Sequence, residues 1–224
     1  LKPYSNKYWF KDRLTWLVKQ YFWNFSYNLS QCKNKASHIL CMNDSVPSVL
    51  GLSNKYSVTP SVATQDFGWN ESINRDQFTV ISAGRFVPLK GFDLTIEAFA
   101  KMVKSVTDVE RSECQLILVG SGPEEGLLKK MCAYLEIEKN VKFISWIERD
   151  ALMEMFKTSY VFLFPSHEGA GMVVAEALSF GVPVVCLDNE GPGEFINDSC
   201  GLKVRQDSYD ATTSSLADAL KTLF

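Results

Sequence analysis

Arg85 and Lys90 lie five residues apart in Ser82-Ala-Gly-Arg-Phe-Val-Pro-Leu-Lys-Gly-Phe-Asp93, a stretch that also carries Gly84 and Gly91. A planar guanidinium fork and a compact ammonium form a natural pair for a diphosphate. A second stretch, Phe164-Pro-Ser-His-Glu-Gly-Ala-Gly-Met-Val-Val-Ala-Glu176, places Glu168 ahead of Gly169 and Gly171 and puts Glu176 about one turn into the helix that follows. Bare backbone at a helix N-terminus offers unpaired N–H groups and the positive end of the dipole, which favour an anion such as phosphate. An ionised carboxylate has two acceptor oxygens and can take two neighbouring hydroxyls of a diol. Two cations, helix-end amides and two flanking carboxylates therefore suit a ligand with a sugar at each end of a diphosphate. Taken singly, Glu168 reads better as a dipole-favoured carboxylate and Glu176 as a solvated helix residue.

The remaining chemistry is thinner. Gly120-Ser-Gly-Pro-Glu-Glu-Gly126 follows a strand and opens a helix, but its spacing is one residue longer than the dinucleotide fingerprint. It reads better as a tight strand-to-helix turn. Of two histidines, His38 sits in a strand-like run and His167 in the Glu168 loop, neither with a partner evident from spacing. Six cysteines (Cys32, Cys41, Cys114, Cys132, Cys186, Cys200) form no C-x-x-C pair and no ligand spacing. No metal site is expected, and a reducing cytosol is.

Such residues need a scaffold that brings distant loops to one edge. From about residue 76 onward, strand-like and helical runs alternate. Strands are expected at Phe78–Ser82, Gln115–Val119, Val141–Ile144, Tyr160–Phe164, Pro183–Leu187 and Gly201–Val204. Helices are expected at Phe92–Ser105, Glu124–Leu135, Arg149–Thr158 and Met172–Phe180, with a short one near Glu194–Ile196 and a last one from Asp210. This alternation gives an α/β fold with a parallel sheet and right-handed crossovers. Earlier in the chain, Ser37–Met42 reads as a strand, Asn43–Leu52 as a short helix and Tyr56–Val62 as a connector. Residues 1–75 are thus expected to belong to a separate, partial domain and linker, and 76–224 to the domain holding the loops above. The start at Leu1 and the stop at Phe224 within a helical pattern read as a fragment truncated at both ends.

Charge and hydropathy bound the partners. No apolar run among the 224 residues reaches the roughly 18 needed to span a membrane. Residues 1–37 carry seven basic groups against the single acid Asp12, a balance of +6 that leaves −9 on the rest of a chain whose formal charge is −3. An acidic body argues against nucleic acid, whose binding draws on phosphate neutralisation. The first 28 residues hold ten aromatics, with Trp9, Trp16 and Trp23 spaced by seven. That aromatic-basic segment, 1–37, reads either as a helix packed on its own or a neighbouring domain, or as a peripheral contact with the inner face of an anionic membrane.

With Gly84-Arg85, Lys90-Gly91, Val119-Gly-Ser-Gly-Pro123, Pro165-Ser166, the E-x7-E element from Glu168 to Glu176, Glu176-Ala-Leu-Ser-Phe-Gly-Val-Pro-Val-Val185 and Gly191-Pro-Gly-Glu-Phe-Ile196 in order, the chain resembles the retaining glycosyltransferases of GT-B fold, family four type. The likeness runs from about Val80 to Val204 and is to their C-terminal, donor-binding domain. It implies a Rossmann-like parallel sheet with helices on both faces, preceded by the remnant of a second Rossmann-like domain. It implies transfer of a sugar from a nucleotide-diphosphate sugar to an acceptor hydroxyl with retention, in polysaccharide or glycolipid biosynthesis. The donor is a substrate, and no cofactor is implied.

By the same resemblance Arg85 and Lys90 would hold the diphosphate as it leaves, Glu168 the hydroxyls of the transferred sugar, and Glu176 the ribose diol. Gly84, Ser166, Gly169, Gly171, Met172 and Val173 would approach the phosphates and sugar, and the base would rest by Ser145-Trp146-Ile147. The sequence departs from the pattern at three points: His167 alone separates Ser166 from Glu168 where many members have two residues, Ala170 replaces a frequent phenylalanine, and Ser145 stands where glycine is usual. There is no D-x-D motif of the metal-dependent kind, so Arg85 and Lys90 are expected in the metal's place. The acceptor, a sugar or lipid-linked sugar, would sit mostly on the other domain, leaving this fragment inactive alone. A GT-B-fold sugar-nucleotide epimerase and a non-catalytic nucleotide-sugar-binding module are the competing functions.

Overall fold

The computed structural model describes residues 27–59, 62–68, 77–168, 171–189 and 191–224. The chain divides into two compact units, Leu1–Ser61 and Val62–Phe224. Most of the aromatic-basic segment, with Trp9, Trp16 and Trp23, lies outside the described residues, as does Gly169.

In the first unit, helix α1 (Tyr27–Lys35) precedes strand β1 (Ile39–Cys41), helix α2 (Ser45–Leu50) and strand β2 (Tyr56–Val58). The strands pair in parallel, Ile39 opposite Tyr56, so β1-α2-β2 is a small strand–helix–strand unit. The connector expected over Tyr56–Val62 is therefore partly a strand. Three residues are too few to show a period, and the strand is defined by its partner, which is extended when Thr59 N–H donates to Cys41 O at 2.8 Å.

The second unit contains a six-stranded parallel sheet of order β5-β4-β3-β6-β7-β8. Its strands are β3 (Phe78–Ala83), β4 (Cys114–Val119), β5 (Val141–Ile144), β6 (Val161–Phe164), β7 (Val184–Leu187) and β8 (Gly201–Val204). Between them run α3 (Phe92–Lys104), α4 (Asp108–Glu113), α5 (Glu125–Tyr134), α6 (Arg149–Thr158) and α7 (Met172–Ser179), and α8 (Tyr209–Leu223) follows. The expected strands and long helices recur with ends exact or shifted by one residue. The short helix placed near Glu194–Ile196 is a single 3-10 turn at Pro192–Glu194. Helix α4 was not anticipated, although Thr107-x-x-Glu110 is a capping-box signature: Thr107 N–H donates to Glu110 Oε2 at 2.8 Å, and Glu110 N–H to Thr107 Oγ1 at 3.3 Å.

Period-two alternation splits the core between the sheet's two faces. Val161, Leu163, Val185 and Leu187 join α3, α5 and α8 in one cluster. Phe162, Phe164, Val184 and Cys186 join α6 and α7 in the other. Burial on both faces is why these strands are continuous apolar runs. All six point the same way, so the loops leaving Gly84, Gly120, Ser145, Pro165 and Asp188 share one edge, where ligands of such sheets bind.

Candidate functional site

Two loops from adjacent strands build the centre of that edge. After β3 the chain turns at Gly84 and is anchored by Phe86, fully buried, whose ring packs edge-on against Phe92 with centroids 4.7 Å apart. Phe86 N–H donates to Ser121 O at 2.9 Å, which ties the loop to the glycine turn after β4. A Cβ on Gly120 would stand 1.9 Å from Gly84 O. Close backbone approach therefore accounts for that glycine, in keeping with a turn.

The loop ends at Gly91, in the left-handed region at φ 66°, where a Cβ would come within 2.3 Å of Pro165 O. This contact lets the Arg85–Lys90 loop lie against the segment after β6. Leu89 O stitches the two together, accepting from His167 N–H at 2.9 Å and from Ser166 Oγ at 3.3 Å. From the other side, Asn189 Nδ2 donates to Ser166 O at 2.8 Å, while its Oδ1 accepts from Gly191 N–H at 3.2 Å. Ser166 is fully buried, so its hydroxyl serves loop packing. Gln206 Nε2 lies 3.4 Å from His167 Nδ1. Burial holds the His167 imidazole below its usual pKa range, and its Nε2 has no hydrogen-bond partner among the described residues.

The charged groups fall into three states. Lys90 Nζ forms an ion pair with Glu168 Oε2, and the ammonium lies 5.3 Å from the Phe164 ring centroid. The Lys90 stem covers Gly84, whose Cβ position is 3.6 Å from Lys90 Cδ. Glu176 is buried and meets a residue that sequence reasoning missed: Arg149, at the start of α6, donates from Nε at 2.9 Å and from Nη2 at 2.8 Å to Glu176 Oε1. Arg85 is exposed and makes no ion pair or side-chain hydrogen bond with any described residue.

Gly171 precedes α7 with no side-chain cap, so the first-turn amides of Met172 and Val173 have no acceptor among the described residues. Ile147 packs partly against the α6–α7 cluster just beyond β5, next to the largely exposed Trp146. The edge thus offers the unengaged guanidinium of Arg85, an ammonium shared with a carboxylate, open helix amides and a second carboxylate held by arginine. Such a set can bind a polyanion flanked by hydroxyl groups. No group of three His, Cys, Asp or Glu side chains able to hold a metal occurs among the described residues. A hollow of about 440 Å³ bounded by Leu178, Pro183, Cys200 and Leu202 lies by the starts of β7 and β8, at the opposite edge. It has no convergent cations, and the loops above carry the chemistry.

Fold and loop chemistry together define a Rossmann-like, GT-B type domain. The chain belongs to the glycosyl transferases group 1 family, whose sequence model matches residues 64–222. It is 29% identical over 144 residues to a GDP-mannose-dependent monoacylated alpha-(1-6)-phosphatidylinositol monomannoside mannosyltransferase of Corynebacterium glutamicum, covering 61% of this chain and 36% of that protein. It is 33% identical over 123 residues to the lipopolysaccharide core biosynthesis glycosyltransferase LpsE of Rhizobium meliloti, covering 55% and 33%. The chain therefore spans about a third of the length of these curated relatives. Among solved structures, the pneumococcal O-GlcNAc transferase GtfA in complex with UDP and GlcNAc superposes with a TM-score of 0.72 at 23% identity, over 89% of this chain and 40% of that one. WaaG, a glycosyltransferase involved in lipopolysaccharide biosynthesis, superposes at 0.66 and 21%, over 82% and 52%. These likenesses establish the GT-B fold.

Proposed function

We propose that this chain is the donor-binding part of a retaining glycosyltransferase that takes a sugar from a nucleotide-diphosphate sugar and passes it to an acceptor hydroxyl in glycolipid or polysaccharide assembly. One observation carries the reading: Arg85, an unengaged guanidinium, shares an edge with Lys90, with the open amide end of α7 and with the carboxylates of Glu168 and Glu176. Relatives that use GDP-mannose or build a lipopolysaccharide core, and a neighbour in complex with UDP, support the substrate class.

As the glycosidic bond to the diphosphate lengthens, negative charge grows on the leaving oxygen. In this reading Arg85, Lys90 and the α7 amides receive it. One such donor is typically worth about 3–4 kcal/mol of barrier. Glu168 exchanges its bond to Lys90 for hydroxyls of the sugar when the diphosphate takes Lys90. Glu176 holds the ribose end. Transfer itself requires the acceptor-side part of the longer protein.

Titration calorimetry of this chain with UDP-, GDP- and ADP-hexoses tests the proposal. At least one should bind, and Arg85→Ala should weaken it about tenfold or more. Absence of binding by all three, or an Arg85→Ala variant that binds as the parent does, refutes it.

A further inference from the structure

The Arg149–Glu176 pair is asymmetric in a way that a simple brace is not. A structural arginine–carboxylate pair usually sets two parallel N–H groups against two oxygens. Here Nε and Nη2 of Arg149 converge on Oε1 alone. Oε2 of Glu176 has no partner among the described residues, yet it is not among the buried orphan atoms, so solvent reaches it. The exposures are equally uneven: 11% for the Glu176 side chain and 60% for Arg149. The guanidinium has five N–H groups. Two are engaged, and the others make no hydrogen bond to any described residue.

Placement gives the asymmetry a use. Arg149 follows β5 by five positions and sits two residues past Ile147, while Glu176 lies in α7, after β6. The two helices pack in one cluster on the same face of the sheet, so the pair joins the start of α6 to α7. Arg149 thus stands between the segment assigned to the base and the carboxylate assigned to the ribose.

We propose that Arg149 is a ligand-contacting residue that completes a diol-reading subsite with Glu176: Oε2 accepts from one hydroxyl of a ribose while an outer N–H of Arg149 donates to its neighbour. This rests on the donor-binding role of the site proposed above. An acceptor and a donor held side by side match vicinal hydroxyls, each of which can give and take one hydrogen bond. Removing one hydroxyl leaves a charged partner unpaired, which is where discrimination against a deoxy ligand arises.

The test titrates UDP, GDP and ADP into the chain, then compares the tightest binder with its 2′-deoxy and 3′-deoxy counterparts. Wild type should prefer the ribonucleotide over at least one deoxy form by about tenfold. Arg149→Ala should weaken ribonucleotide binding about tenfold and bring that ratio close to one. Arg149→Lys should restore part of the ratio, because a charge and a donor return without the fork. Far-UV circular dichroism checks each fold, and Arg149→Gln serves in the same comparison should the alanine variant misfold. A variant that keeps the wild-type ratio overturns the subsite while leaving donor binding intact. Failure of wild type to bind any of the three nucleotides overturns the donor reading and the subsite with it.

Discussion

Gly91→Ala is the sharpest perturbation available, because its effect is read from one backbone contact. At φ 66° an alanine pays the left-handed penalty of about 1–2 kcal/mol. Its Cβ would also stand 2.3 Å from Pro165 O, roughly 0.7 Å inside the 3.0 Å below which real Cβ atoms essentially never come. The obstacle is a carbonyl in the chain that carries Ser166 and Glu168, so no flexible side chain can yield. Forced expansion of a packed contact adds about 1–3 kcal/mol, for a total of about 2–5 kcal/mol. Gly68 supplies the control within the same unit. Its φ is 71° and no described residue beyond its chain neighbours lies within 4 Å of its Cβ position, so Gly68→Ala should cost about 1 kcal/mol. Urea unfolding followed by far-UV circular dichroism measures both. The clash should also part the Lys90 loop from the Glu168 loop, weakening nucleotide binding about tenfold or more in Gly91→Ala only. If the two variants are equally stable and bind nucleotide equally well, the loop-against-loop account of the site is wrong.

Three further outcomes follow from the charged and polar groups. Burial pushes the Asp93 carboxyl up to about 6, and burial, then the charge of Asp93, pushes Glu124 up to about 7. Both are protonated more readily in the folded than in the unfolded chain, so stability should fall as pH rises from about 4 to about 7. With the half-exposed Glu124 discounted for screening, the loss is on the order of 1–3 kcal/mol; Asp93→Asn and Glu124→Gln should each flatten the urea-midpoint profile, and a level wild-type profile would refute this. Glu168→Gln releases Lys90, so calorimetry should show nucleoside diphosphate binding about threefold to tenfold tighter while nucleotide-sugar binding weakens; equal shifts of one sign would contradict the exchange of partners. Asn189→Ala removes the donor to Ser166 O and the acceptor for Gly191 N–H, and its Tm should drop by roughly 3–8 °C, with Asn189→Asp intermediate.

What could be read from the sequence divides along the range of the forces involved. The sheet was legible because doubly covered parallel strands are local apolar runs: Val161–Phe164 and Val184–Leu187, buried throughout, stand within one residue of where their residues alone put them. The nearness of Lys90 to Glu168 followed from the rule that such strands present their loops on one edge, without any knowledge of strand order. Strand Tyr56–Val58 was not legible, since three residues become a strand only through pairing with Ile39–Cys41. Helix Asp108–Glu113 had a readable signal in its capping box that hydrophobic periodicity passes over. Arg149 is the instructive case. Its partner is 27 positions away and belongs to a helix reached across two strands, so no spacing rule could join them. Yet Arg149 is the first residue of its helix, where a positive charge opposes the dipole and an acid such as the adjacent Asp150 is favoured. A cation in that position calls for a compensating anion from elsewhere in the fold. Glu176, buried and equally in need of a counter-charge, supplies it. Two residues that each break a local preference meet at the edge assigned to the ligand, as expected where function constrains the sequence more than stability does.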